Sequence, residues 1–306
     1  MEQLDSKEDV RRAVAQARRD EQTVALVPTM GALHAGHLSL VRAARERAGL
    51  VAVSVFVNPT QFGPGEDLAA YPRDLQGDLG LLAAEGVDLV FSPTPETMYA
   101  PDASTTVDPG EIGTLLEGAV RPVHFAGVAT VVAKLLALLD PDIAFFGEKD
   151  YQQLLVVRRL VRDLDFAVTV VGCQTVREPD GLALSSRNAY LSREERAVAP
   201  TLHRALTEAA RLAGGGTASV AELEAAMARV LAAEPSVRPD YAVVRDADTL
   251  ASIETLEQGR PARALIAARV GPTRLIDNMT VALGVSAGHG GFLGDDPTAS
   301  PQDVIR

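Results

Sequence analysis

The sequence has a single cysteine, Cys173, and no tryptophan in 306 residues. One thiol excludes a disulfide framework within the chain and any cysteine-rich zinc site, and it fits a reducing compartment. Basic residues are in deficit: 29 Lys and Arg stand against 41 Asp and Glu, for a formal net charge of -12. Affinity for nucleic acid rests on cations that neutralise backbone phosphates, so no nucleic-acid partner is expected. Bulk negative charge still permits a local cationic pocket for one nucleotide. No apolar run approaches the ~20 residues that span a bilayer, and the polar opening MEQLDSKEDVRR has no apolar core of a secretory signal. A soluble cytoplasmic protein with no membrane partner is therefore expected. Hydrophobic residues make up 47% of the chain, enough to exclude disorder and to bury the core of one large or two medium domains.

Hydrophobic periodicity predicts helices over residues 7–19, 38–47, 75–84, 128–139 and 151–162. Ser6 stands as N-cap of the first, with Asp9 three positions on. Short apolar, β-branched runs predict buried strands over residues 23–27, 50–57, 87–91, 143–146 and 167–171. Strands alternating with helices imply a doubly wound, Rossmann-like parallel sheet, with binding loops at the strand C-terminal ends. Past about residue 175 the texture changes. Helices over 193–212 and 220–233 precede strands over 241–245, 264–268 and 273–277, the order of a smaller α+β domain. The division expected is 1–175 for a Rossmann-like nucleotide-binding domain, 176–285 for a C-terminal domain closing over it, and 286–306 for a mobile tail rich in Gly, Pro and small residues. No internal repeat is visible.

Four segments carry chemistry. Pro28-Thr29-Met30-Gly31-Ala32-Leu33-His34-Ala35-Gly36-His37 joins the first apolar strand to its helix, where free backbone N–H groups and the helix dipole attract anions. His34 and His37 share one face of a first turn, and two imidazoles there can donate to phosphate oxygens. A metalloprotease is excluded because no HExxH occurs. Gly147-Glu148-Lys149-Asp150 follows a second strand, and its lysine suits a phosphate. Leu184-Ser185-Ser186-Arg187 sets two hydroxyls beside a forked guanidinium. Asn58-Pro59-Thr60-Gln61 follows a third strand with neutral amides suited to hydroxyls and carboxylates. Each of the last three, alone, is weak, and the EKD segment alone reads more readily as a solvated turn. Asp78, on a predicted helix, is a candidate to help hold magnesium through water, against the plainer reading of a solvated-face aspartate.

Taken together, the blocks PTMGALHAGH, FVNPTQFGPGEDLAAYPRD, RPVHFAGVATVV, FFGEKDYQQLLVVRRLV, TVREPDGLALSSRNAYLS and TRLIDN resemble the pantoate–β-alanine ligases (pantothenate synthetases). These belong to the nucleotidyltransferase superfamily, which shares an HxGH element with class I aminoacyl-tRNA synthetases. The resemblance runs from about residue 23 to 278. It implies a two-step reaction. Pantoate attacks the α-phosphate of Mg-ATP to give pantoyl-adenylate and pyrophosphate, and the β-alanine amine then displaces AMP to give pantothenate. It further implies that Met30, Gly31, Ala32, Leu33, His34, Ala35, Gly36 and His37 contact ATP, with His37 as proton donor and His34 and Lys149 as further catalytic residues. Gly147, Glu148, Lys149, Asp150, Val176, Leu184, Ser185, Ser186 and Arg187 complete the ATP site by the same resemblance. Gln61 and Gln153 hold pantoate, and Gln61 also holds β-alanine. Leu184 stands where many members carry Met, a nearly volume-conserving change. A homodimer is implied; the extension after residue 286 has no counterpart.

Other readings remain to be weighed. A cytidylyl- or adenylyltransferase shares the HxGH element but not the NPTQF and GEKDYQQ blocks. A tRNA-charging enzyme is disfavoured by the negative charge and by the lack of a basic anticodon-binding region. A non-catalytic nucleotide-binding module predicts loss of pocket residues, yet all are present.

Overall fold

The computed structural model describes residues 1–284; the expected mobile tail at 286–306 lies outside the described residues. Six strands form one parallel sheet in the order β1-β4-β3-β2-β5-β6. They are β1 (Glu2–Leu4), β2 (Val24–Thr29), β3 (Leu50–Val55), β4 (Leu89–Phe91), β5 (Ile143–Gly147) and β6 (Thr169–Cys173). The helices between them are α1 (Lys7–Arg19), α2 (Ala35–Arg45), α3 (Leu75–Ala84), the single turns α4 (Pro95–Met98) and α5 (Glu117–Val120), α6 (His124–Leu139) and α7 (Tyr151–Asp163).

The layers follow from side-chain alternation along the strands. Ala25, Val27, Val51, Val53, Val90 and Phe145 face one side, where they pack against Leu38, Val41 and Ala44 of α2 and Leu82 of α3. The intervening residues Val24, Leu26, Ala52, Leu89, Phe91 and Ala144 face the other, against α1, α6 and α7. Strands buried on both faces lose the polar alternation of a half-exposed sheet, which is why they read as continuous apolar runs. Strand order reverses between β2 and β5, which pair Ala25 with Ile143 and Leu26 with Ala144. Two crossovers leave that junction in opposite directions, opening a crevice above the C-terminal ends of both strands.

The second unit is built from α8 (Arg193–Val198), α9 (Thr201–Gly214), α10 (Val220–Ala232) and an antiparallel sheet of β7 (Val237–Asp246), β8 (Ala262–Val270) and β9 (Thr273–Val281). On β8, Ala262, Ala264, Ile266 and Ala268 pack against the helices. Leu265 points the other way, into a cluster with Phe125 and Tyr151 of the first unit. The small sheet is thus roofed by its own helices and seated on the large unit.

Three differences from expectation have local causes. β1 has no counterpart among the predicted strands. It is a polar edge strand that joins the sheet through backbone pairing of Glu2 with Leu89 and Leu4 with Phe91, and it carries no hydrophobic signal. The stretch expected as one helix over 193–212 breaks before Thr201, because Pro200 has no N–H to continue the ladder. β7 starts earlier than expected, with a bulge between Pro239 and Tyr241; it is an edge strand, where proline is tolerated.

Leu265 is 5% exposed, so Leu265→Ala should cost about 2–5 kcal/mol. Urea denaturation checks this, and a loss below ~1 kcal/mol would show that the units are not tightly packed there.

Candidate active site

The segments singled out from sequence converge on this crevice. The loop after β2, the turn after β3, the turn after β5, the segment after β6 and the Ser185–Arg187 loop line one cavity of about 220 Å³. A second cavity, about 530 Å³, opens between the two units. Arg121, His124, Lys149, Asp150, Gln153, Ser185 and Arg187 line both, so the two form one cleft.

The first turn of α2 is capped by its own two histidines. The helix begins at Ala35, earlier than the 38–47 expected, because His34 is the N-cap. Its Nδ1 accepts from the Gly36 N–H at 3.1 Å, and Nδ1 of His37 accepts from the His34 N–H at 3.3 Å. An atom that accepts from a backbone N–H carries no proton. In the neutral rings the proton must therefore sit on Nε2, which makes each imidazole a donor at its outer end. The rings lie 4.1 Å apart between centroids. Burial, with the Lys149 ammonium nearby, lowers the His34 pKa to about 4. Burial, with His34 beside it, lowers that of His37 to about 3. Both rings are thus neutral at pH 7 in the free protein. Gly36 is required: a Cβ there would stand 2.9 Å from Cε1 of His34.

The loop before these histidines is held by Asp78. Its Oδ2 accepts from the Ala32 N–H at 3.0 Å and its Oδ1 from the Leu33 N–H at 2.7 Å. Those bonds stabilise left-handed backbone at Gly31 (φ 79°) and at Ala32 (φ 50°); for a residue with a Cβ this conformation is unfavourable. The sequence makes Asp78 a candidate to help hold magnesium. It is 4% exposed with both oxygens on backbone N–H groups, so it clamps the loop and is not placed to ligate a metal directly, the expected contact being through water. Among the described residues, Asp150 is the one carboxylate lining the smaller cavity. Its side chain is 48% exposed, with an oxygen 3.7 Å from the Lys149 ammonium. Burial raises its pKa, but Lys149 and Arg187 outweigh that and hold it below the usual carboxylate range. A half-exposed, ionised carboxylate at a phosphate site is the donor that magnesium uses beside substrate oxygens, so Asp150 fits the ion and Asp78 does not.

The remaining residues divide by how firmly they are held. Gln61 is 6% exposed. Its Oε1 accepts from Asn58 Nδ2 at 3.0 Å, and its Nε2 donates to the Met30 sulfur at 3.0 Å, a weak acceptor that a carboxylate can displace. Gln153 lines both cavities and makes no side-chain hydrogen bond among the described residues. Ser186 donates to the Ala32 carbonyl at 3.1 Å, and Ser185 caps the next turn by accepting from the Arg187 N–H at 3.3 Å. The Arg187 guanidinium is held by both oxygens of Asp67, at 3.0 and 3.1 Å. Gly147, Val176 and Leu184 line the smaller cavity, and the Leu184 N–H donates to the Val176 carbonyl at 3.0 Å. Glu148 turns away, to Arg263 at 3.2 Å.

Several residues here carry no role in the sequence reading. Asn278 of β9 donates through Nδ2 to the carbonyls of Glu148 and Lys149, at 3.0 and 2.8 Å. Arg263 donates to Asn278 Oδ1 at 2.6 Å and lies 4.0 Å over the Tyr151 ring. The second unit thereby fixes the turn that presents Lys149. TRLIDN is recognisable as a block, yet only the register of β9 reveals what its asparagine reaches. Arg121 and His124, in the block RPVHF, also enter the cleft.

Fold and site together define a nucleotide-handling α/β enzyme, with uncharged and cationic donors gathered where a polyphosphate would lie. Comparison with known proteins specifies which. The profile of the family described as pantoate-beta-alanine ligase matches residues 2–280. A pantothenate synthetase of Rubrobacter xylanophilus is 57% identical over 282 residues, covering 90% of this chain and 97% of that one. The pantothenate synthetase of Rhizobium meliloti is 50% identical over 274 residues, covering 90% and 94%. The crystal structure of pantothenate synthetase from Thermus thermophilus is similar with a TM-score of 0.86 at 51% identity, over 92% of this chain and 100% of that one. That of the Francisella tularensis ligase, complexed with beta-gamma ATP and β-alanine, gives 0.75 at 33% identity, over 91% and 97%. The chain belongs to the pantoate–β-alanine ligase family, and its activity is the family's, the ATP-dependent joining of pantoate to β-alanine to form pantothenate.

Two outcomes check this geometry. Asp78→Asn replaces one acceptor oxygen with a donor facing a backbone N–H. It should cost about 1–3 kcal/mol in denaturation and weaken ATP binding. The histidines make an acid-side contribution. Their folded pKa values, about 4 and 3, lie below the unfolded value of about 6.5, so between those limits the unfolded chain binds more protons and stability falls as pH falls. His37→Gln should make that fall shallower from pH ~6.5 downward; an unchanged slope would contradict the assignment.

Proposed function

We propose that the two half-reactions run in this cleft with the following division of labour. The nucleotide's phosphates lie across the N-terminus of α2, where Nε2–H of His34 and His37, the Lys149 ammonium and the Ser185 hydroxyl are donors, with Ser186 holding the loop through the Ala32 carbonyl. The observation that carries this reading is the mutual capping of His34 and His37, which turns both donor nitrogens outward at a helix N-terminus beside Lys149. Donors fixed before reaction stabilise charge that develops on the leaving pyrophosphate without having to reorganise. His37 is the proton donor at that step. Polyanionic ATP bound beside it raises its low pKa, because a nearby negative charge favours the protonated ring, and protonation at Nδ1 then releases the His34 N–H.

Pantoate lies against Gln61 and Gln153, with its dimethyl carbon among Phe56, Val128, Val131 and Val132 of the same cavity wall. Its carboxylate attacks the α-phosphate in line, a step that needs alignment and charge stabilisation more than covalent catalysis. β-Alanine, held in part by Gln61, then attacks the acyl carbon and releases AMP. Arg187 completes the phosphate site once a phosphate competes with Asp67 for its guanidinium. Asp150 would help hold magnesium, which would offset phosphate charge when bound. We also propose that 1–175 and 176–285 act as two domains, the second closing to keep water from the acyl-adenylate. The family reading supports a homodimer and a cytoplasmic location. Among the described residues, no helix is long and apolar enough to cross a membrane.

Mixing protein, ATP, magnesium, pantoate and β-alanine should release AMP only when both acids are present; an intact, ATP-binding protein that releases none would overturn the reading. His37→Ala should lower adenylate formation by about 10²–10⁴-fold with the fold intact by circular dichroism. Gln153→Ala should raise the KM for pantoate far more than that for ATP, and equal losses would point to a folding defect instead.

A further inference from the structure

The second half-reaction needs a proton acceptor. An amine nitrogen that bonds to an acyl carbon becomes cationic and must lose a proton as AMP departs. The groups already described are poor candidates. His34 and His37 use Nδ1 on backbone N–H groups and carry their proton on Nε2. Lys149 is a cation, and the Asp150 carboxylate is paired with it at 3.7 Å and assigned above to magnesium. Glu66 is gripped by Arg121, with Nε at 3.0 Å and a terminal nitrogen at 2.5 Å.

His124, at the start of α6, has the opposite tautomer. Its Nδ1 lies 3.1 Å from the Gln61 carbonyl oxygen. A carbonyl can only accept, so Nδ1 carries the proton and Nε2 has a free lone pair. The ring is 8% exposed and lines both cavities. Nε2 has no protein partner among the described residues, and it is not among the buried side-chain atoms sealed without one. The ring stacks at a tilt on Phe125, 4.8 Å between centroids. The charged groups around it are Arg121, Glu66 and Asp150; burial and then Arg121 lower its pKa to about 4, so it is neutral and its lone pair is available at pH 7. Among the described residues lining the smaller cavity, it is the one histidine whose unprotonated nitrogen accepts no hydrogen bond from the protein. It is also bonded to the peptide of Gln61, the residue proposed to hold β-alanine.

We propose that His124 Nε2 is the general base of the amide-forming step, accepting a proton from the β-alanine nitrogen at the junction of the two cavities. This rests on the ligase reading. β-Alanine enters from the larger cavity and attacks as the free amine, its ammonium proton already lost to water. The nitrogen forms a bond to the acyl carbon and the C–O bond to the AMP phosphate breaks. One proton passes to Nε2, and AMP leaves with the electron pair. The imidazolium then returns its proton to solvent. The nitrogen becomes acidic only as its bond to carbon forms, so the transfer to Nε2 accompanies bond making.

The test separates the half-reactions and uses His124→Asn and His124→Gln. Asparagine keeps an N–H where Nδ1 donates to Gln61 but has no basic nitrogen. Pantoate-dependent exchange of labelled pyrophosphate into ATP should stay within about threefold of the unaltered enzyme in His124→Asn. Single-turnover conversion of the adenylate by β-alanine should fall by about 10²–10⁴-fold in both variants. Hydroxylamine, whose adduct is acidic enough to lose its proton to water, should consume the adenylate at a nearly unaltered rate. Recovery of β-alanine aminolysis in His124→Asn would overturn the proposal and leave His124 a positioning residue for Gln61. Equal losses in exchange, aminolysis and hydroxylamine reaction would overturn it in favour of a structural role. Absence of pantothenate from the unaltered enzyme would overturn the ligase reading itself, a different result from either.

Discussion

The functional end of this protein depends on one arrangement, a helix N-terminus capped by the two histidines that serve it. A helix starts with backbone N–H groups that lack partners. Usually a serine, threonine or aspartate accepts from them. Here the acceptors are imidazole nitrogens. The choice has a chemical consequence, because accepting at Nδ1 leaves a donor at Nε2. Local helix physics therefore selects the tautomer that a phosphate needs, and the same groups that begin α2 are ready to receive an anion at its positive end.

Everything around the pair maintains it. Asp78 holds the left-handed loop that delivers the chain to His34. Ser186 reaches back to the Ala32 carbonyl from the other side of the cleft. Asn278 and Arg263 brace the turn that carries Lys149 from the second unit. Two of the cations are partnered within the protein, Arg187 by Asp67 and Arg121 by Glu66. An acidic chain can thus keep a cationic pocket without leaving bare positive charge in it. Under the proposed phosphate site, substrate binding would exchange one anion for another at Arg187, which lowers its net gain but preserves the shape of the site.

The parallel sheet was legible because its strands, buried on both faces, appear as apolar runs at regular spacing; β2, β3 and β5 fall close to where the runs predict. β1 was not, since its contribution is made by backbone atoms. The motif after β2 was legible as a candidate anion site from strand, glycines and helix start. Which nitrogen of each histidine bears the proton was not, because that depends on distances within one turn. Asp78 illustrates the limit most clearly: an aspartate on a helix near a phosphate site reads as a metal ligand or a solvated face, and only its approach to the Ala32 and Leu33 amides reveals the clamp. His124 and Asn278 lie inside recognisable blocks, but their partners are 63 and about 130 residues away, beyond the reach of local pattern.

The most direct measurement of this account is the tautomeric state of His34 and His37 in the free protein, read from two-bond proton–nitrogen correlations of the imidazole rings between about pH 6 and 8. Mutual capping predicts neutral rings throughout, each with its proton on Nε2 and an unprotonated Nδ1. Rings protonated on Nδ1, or cationic at neutral pH, would contradict it, because neither state can accept the backbone N–H groups that start α2.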